Sequence, residues 1–80
     1  MAEKIERLSA LRVGQRGRVA RVEAEDGIHR RLLEMGFVRG ESVSVEKLAP
    51  LGDPMELAVR GYHLSLRREE SACIFVELED

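Results

Sequence analysis

The sequence predicts a mainly β domain: five short strands curled into one small antiparallel barrel, with one short α-helix inserted after the first strand. Three observations point there. After Gly40, apolar residues recur at every second position in four separate stretches, the period of strands with one buried and one wet face. Turn-forming residues punctuate these stretches at close spacing, as hairpin connections require. Only residues 26–37 carry a helical period, so the strand–helix–strand rhythm of a parallel sheet is missing. With 80 residues the chain reads as one domain, 1–80. A core of that size removes only about 60–65% of the unfolded surface from water.

The first elements are read from local chemistry. Leu8-Ser9-Ala10-Leu11, ahead of Val13 and Gly14, forms a short helical turn that tucks Leu8 and Leu11 under the fold. Gly14 and Gly17 lead into a first strand from Arg18 to Ala24. Val19 and Val22 lie three positions apart, on opposite faces of a straight strand. A bulge or strong bend brings both inward, as a small barrel needs. Asp26 to Phe37 is the helix. Asp26 serves as its N-cap, and Ile28, Leu32 and Met35 make one apolar stripe. Gly36 takes the left-handed position that ends it, with Phe37 folding back onto Leu32. An isolated helix needs roughly 12–15 residues to persist in water, so this one must pack on the sheet.

The remaining four strands place Val43 and Val45, then Leu57 and Val59, then Leu64 and Leu66, and finally Ile74, Val76 and Leu78 on the inner face. Ala49-Pro50-Leu51-Gly52-Asp53-Pro54 joins the second strand to the third. Arg60-Gly61-Tyr62 makes a tight hairpin between the third and fourth. Arg68 to Ala72 supplies one helical turn before the last strand.

The composition is 44% hydrophobic and 35% charged with a net charge of −2, a globular balance without the basic surplus of a general nucleic-acid binder. Residues 1–31 hold eight Arg/Lys against five Asp/Glu, and residues 32–80 hold five against ten. Arg16, Arg18 and Arg21, with Arg30 and Arg31, form a basic region. Only three aromatic residues, Phe37, Tyr62 and Phe75, are available for base stacking. A nucleic-acid-binding barrel is therefore the alternative reading, and a solvated face is the first. A lone cysteine, Cys73, rules out an internal disulfide. The charged N-terminus lacks the apolar stretch of a signal peptide, so a cytoplasmic location is expected.

Catalysis finds little support. The sequence has no Gly-x-Ser-x-Gly, Walker loop, His-Glu-x-x-His or Cys-x-x-Cys pattern. His29, His63 and Cys73 are scattered without ligand spacing, so no metal set and no cofactor is expected. The Ala49–Pro54 loop draws attention instead. Leu48, Leu51 and Met55 bracket its two prolines, leaving large apolar side chains in a stiff segment that loses little entropy on docking.

Three stretches resemble the FeoA family. They are Arg31-Leu32-Leu33-Glu34-Met35-Gly36-Phe37 followed by Gly40, then Ala49–Pro54, then Gly61-Tyr62-x-Leu64-Ser65-Leu66-Arg67. The likeness runs from about Leu8 to Val76. It implies an SH3-like barrel, similar also to the C-terminal domain of iron-dependent repressors of the DtxR type, although at this length a repressor is not expected. It implies, further, an accessory of ferrous iron uptake that binds the cytosolic part of the FeoB transporter, whether its GTPase domain or another region, as a monomer or weak homo-oligomer and not as an enzyme. The expected contact residues are Leu48, Leu51 and Met55 in the loop and Leu33 on the helix. Arg30 or Arg31 is a candidate arginine finger for the transporter's GTPase. A stand-alone metal-responsive regulatory module is a further alternative; iron carriage by His29, His63 and acidic neighbours is a separate reading, and no iron uptake by the isolated protein is expected.

Overall fold

Alternating apolar residues assemble a single six-stranded antiparallel sheet around one core. The structure, a computed structural model, describes residues 4–79. Its elements are β1 (Ile5–Arg7), a 3-10 turn (Leu8–Ala10), β2 (Arg16–Val22), α1 (Asp26–Glu34), β3 (Ser42–Leu48), β4 (Met55–Val59), β5 (Tyr62–Leu66), α2 (Arg68–Ser71) and β6 (Ile74–Glu79). The strands lie in the order β1-β6-β2-β3-β4-β5. The turn after β1 packs against α2, which follows β5, so the two ends of the sheet are drawn together. The core gathers Leu8 and Leu11 from the 3-10 turn and its end, Leu32 from the helix and Phe37 from just beyond it. Val43, Val45, Leu57, Val59, Ile74 and Val76 reach it from alternate strand positions.

The sheet has six strands where the sequence predicts five. The addition is β1, which pairs with β6 through Ile5 opposite Glu77 and Arg7 opposite Phe75. Three residues without apolar alternation acquire strand geometry from that partner and not from their own pattern. The helix consequently follows the second strand of the chain. β2 spans Arg16–Val22, not 18–24, and its expected irregularity falls between Val19 and Arg21. The extra residue there turns Val19 towards Val76 and lets Val22 stand opposite Ile74.

Two details of the helix differ from expectation. Glu25 occupies the N-cap without a side-chain bond to the helix, and Asp26 is its first residue, where a carboxylate still complements the positive helix end. Leu32 is fully buried and Met35 packs on the core, but Ile28, one turn earlier, is 39% exposed. The end of the helix follows the sequence closely. Gly36 has φ +113°; its N–H donates to the Leu33 carbonyl at 3.0 Å, and the Phe37 N–H donates to the Leu32 carbonyl at 3.1 Å. These are the two bonds of a Schellman motif. A Cβ on Gly36 would stand 3.1 Å from Cδ of Arg60, a flexible side chain that can yield, so backbone strain sets the cost. Gly36→Ala is expected to destabilise by about 1 kcal/mol in urea denaturation, and an unchanged midpoint would contradict this ending of the helix.

The hairpin between β4 and β5 turns on Arg60 and Gly61, whose φ values of 53° and 79° are both positive. That is the primed two-residue turn whose twist suits flanking strands, and it sets Val59 opposite Tyr62.

Candidate functional site

The Ala49–Pro54 loop is built from its own turn residues and pinned at its base. The Gly52 N–H donates to the Ala49 carbonyl at 2.6 Å, which puts Pro50 at the second turn position and Leu51 at the tip. The Ala49 N–H donates to the Pro54 carbonyl at 3.1 Å and closes the loop. Leu51 is left 88% exposed. Asp53 reaches across to α2, where its Oδ1 accepts the Arg68 N–H at 3.0 Å. That bond satisfies a backbone donor at the start of α2, and it also fixes the loop's orientation.

The short helix α2 is tied to α1 on its other side. Oε1 of Glu70 accepts the Arg67 N–H at 2.9 Å, while its other oxygen pairs with the Arg31 guanidinium. The Glu70 side chain is only 18% exposed, so water screens this pair less than an ordinary surface pair. Two clefts flank α2. The first, about 630 Å³, lies between α1 and β5 and is lined by Ile28, Met35, Ser65, Arg67 and Glu69. The second, about 700 Å³, lies between α2 and the loop, against Asp53, Pro54, Arg68 and Ala72. Arg67 and Glu69 border both.

The contact residues predicted from the sequence do not form one patch. Leu51 is the most exposed of them, and Leu48, 37% exposed, ends β3 opposite Met55. Met55 is not a loop residue. It opens β4 between Leu48 and Leu66 and is 2% exposed, because the strand's inward alternation with Leu57 and Val59 starts there. A partner cannot reach it. Leu33 is partly exposed but lies on the far side of the helix from Arg31. Arg31 is engaged by Glu70, whereas Arg30 is exposed and forms no ion pair among the described residues. Ile28, Ser65, Arg67 and Glu69, which line the first cleft, are not among the contact residues the sequence suggests. The misplaced apolar stripe of α1 was the one available signal, since Ile28 begins a pattern that only Leu32 and Met35 complete inside.

The outer face of β1, β6 and β2 carries Arg7, Arg16, Arg18 and Arg21. Arg7 and Arg21 stack on Phe75 at 4.9 and 4.3 Å from the ring centroid, a cation–π arrangement that uses the one aromatic ring on this face. Arg18 pairs with Glu79 and Arg21 with Glu23. Arg7 and Arg16 form no ion pair among the described residues. His63 binds Glu46 through Nδ1 at 2.6 Å, and His29 stands apart on α1. Among the described residues no group of three or more His, Cys, Asp or Glu side chains could hold a metal ion. None of the described helices is long and apolar enough to cross a membrane.

Comparison with known proteins gives a consistent picture. The model of the FeoA domain matches residues 6–78. A Porphyromonas gingivalis protein, the Fe(2+) transport protein A/Fe(2+) transporter FeoB fusion protein, is 46% identical over 72 residues, covering 90% of this chain and 8% of that protein. The chain thus spans a small fraction of that relative. The solution structure of a FeoA protein from Chlorobium tepidum superimposes with a TM-score of 0.86 at 41% identity, over 94% of this chain and 71% of that one. A FeoA from Stenotrophomonas maltophilia in complex with zinc, described as a procaryotic SH3 domain protein, superimposes with a TM-score of 0.78 at 32% identity, over 96% and 91% of the two chains. The SH3-like architecture expected from the sequence is therefore the observed one.

Proposed function

The chain belongs to the FeoA family, and from that membership we propose that it is a cytoplasmic accessory of ferrous iron uptake that binds the cytosolic part of a FeoB transporter and modulates it by protein–protein contact. One observation carries the reading: in the Porphyromonas gingivalis relative, the matching module and FeoB are parts of one polypeptide. Linking two partners raises their effective concentration to about the mM range, a gain that matters when the two act together. The geometry is suited to docking. An exposed leucine tops a stiff loop, two clefts flank α2, and one ion pair and the Asp53–Arg68 hydrogen bond hold the surrounding elements in place. Residues 1–80 act in this reading as one binding unit, without a catalytic role for any side chain.

The direct test is calorimetric titration of the full chain into the purified cytosolic portion of FeoB from the same organism. Saturable binding near one to one is expected. A chain that shows correctly folded spectra and no heat of binding at any accessible concentration would overturn the proposal.

A further inference from the structure

The two edges of the sheet are treated differently. β1 closes one edge with three residues, two of them charged, which is how sheets commonly blunt an exposed edge. β5 forms the other edge with five residues, Tyr62-His63-Leu64-Ser65-Leu66, and contains neither proline nor lysine. The two-residue turn makes Val59 and Tyr62 a hydrogen-bonded pair, and such pairs alternate along the hairpin. Tyr62, Leu64 and Leu66 therefore spend their backbone groups on β4. His63 and Ser65 direct theirs away from the sheet. Among the described residues no backbone hydrogen bond outside the strand ladders reaches either residue, and both are exposed.

At Ser65 this open edge also borders a cleft. Ser65 faces Ile28 and Met35 of α1 across the cavity of about 630 Å³. The edge offers two N–H donors and two carbonyl acceptors, set two residues apart, and at Ser65 the apolar side chains of α1 face it across the cavity. An extended backbone is the structure that satisfies such a row, because its own polar groups repeat with the same spacing. Charge narrows the occupant. Arg31 is neutralised by Glu70, and Arg67 and Glu69, one of each sign, form no ion pair among the described residues. The cleft suits a segment without net charge. A second copy of the domain is a poor fit, because its own β5 edge lies beside its own α1, and two helices would compete for the same space.

We infer that β5 and α1 form a strand-addition site. A short extended segment of the partner, carrying no net charge and apolar at alternate positions, adds to the sheet through the backbone of His63 and Ser65. Its apolar side chains rest on Ile28 and Met35. The inference deepens the docking reading above and rests on it, with a segment of the cytosolic part of FeoB as the occupant.

Amide hydrogen exchange on the isotopically labelled full chain, followed by NMR with and without the purified cytosolic portion of FeoB, tests it. In the free protein the His63 and Ser65 amides exchange fast while those of Leu64 and Leu66 are protected. On binding, the two edge amides should slow by at least about tenfold. Ser65→Pro removes one edge donor at a position where a sheet tolerates proline. It should weaken binding by about tenfold, or about 1.4 kcal/mol, whereas Ser65→Ala, which keeps the N–H, should stay within about twofold. Binding that leaves both edge amides exchanging at the free rate overturns the strand-addition site but leaves the docking function standing. Absence of wild-type binding overturns both. Protection that rises with protein concentration alone, with dimer in sedimentation, also overturns it by assigning the edge to a second copy. The exchange measurement needs no variant, so misfolding of Ser65→Pro would not shield the inference.

Discussion

Alanine at Phe37 should lower the stability of the domain by about 3–5 kcal/mol. The side chain is fully buried and among the largest in the core. It enters immediately after the left-handed Gly36, with its N–H bonded to the Leu32 carbonyl. That backbone bond survives the substitution, so the loss is the ring itself and the cavity it leaves between the helix and the sheet. A domain of this length has roughly 4–12 kcal/mol to lose, and each kcal/mol shifts its melting temperature by about 4–8 °C. The variant should therefore melt far below the wild type or be partly unfolded at room temperature. Val13→Ala, at a residue 55% exposed, is the control and should remain within about 0.5 kcal/mol. Differential scanning calorimetry of the three proteins measures both effects. A Phe37→Ala variant within 1 kcal/mol of the wild type, on the order of a surface substitution, would show that the helix end does not anchor the core.

Phe37 was legible in the sequence because the chemistry that places it is local. A helical stripe, a glycine and a following aromatic define the motif within ten positions, and the bonds of Gly36 and Phe37 reproduce it. The bulge in β2 was legible for a similar reason: Val19 and Val22 can share a face only if a residue is inserted between them. β1 was not legible. Ile5-Glu6-Arg7 has no strand pattern of its own, and its partner β6 lies about seventy positions further along the chain. Long-range pairing of that kind leaves no local trace. The candidate site divides in the same way. The exposed tip at Leu51 follows from Pro50 and Gly52 beside it. The cleft beside α2 is made by residues of α1 meeting β5 and α2, and no sequence window contains both. Ile28 belongs to the helical stripe, but whether it meets the sheet or a cleft is decided by where the neighbouring elements end.

Aspartate at Leu51 and aspartate at Met55 should have opposite consequences, although the two residues are only four positions apart. At Leu51 the side chain is 88% exposed at the tip of a turn whose bonds are all between backbone groups of its neighbours. Leu51→Asp should change stability by no more than about 0.5 kcal/mol. If the loop contacts the transporter, the variant should bind its cytosolic portion more weakly while melting like the wild type. Met55 is 2% exposed and stands between Leu48 of β3 and Leu66 of β5. A carboxylate there must either ionise without a partner or take up a proton, and the methionine packing is lost as well. Large-to-small truncation alone costs about 2–5 kcal/mol, and an uncompensated buried charge costs about 3–5 kcal/mol when a partner is missing. Together the two contributions are comparable to the roughly 4–12 kcal/mol the domain has to lose, so Met55→Asp should be unfolded or nearly so by circular dichroism at neutral pH. Its loss of binding would then report the missing fold and not a missing contact. The two variants measured together separate surface from core: a folded Met55→Asp protein would contradict the inward register of β4, and a destabilised Leu51→Asp protein would mean that the loop tip is packed against the domain.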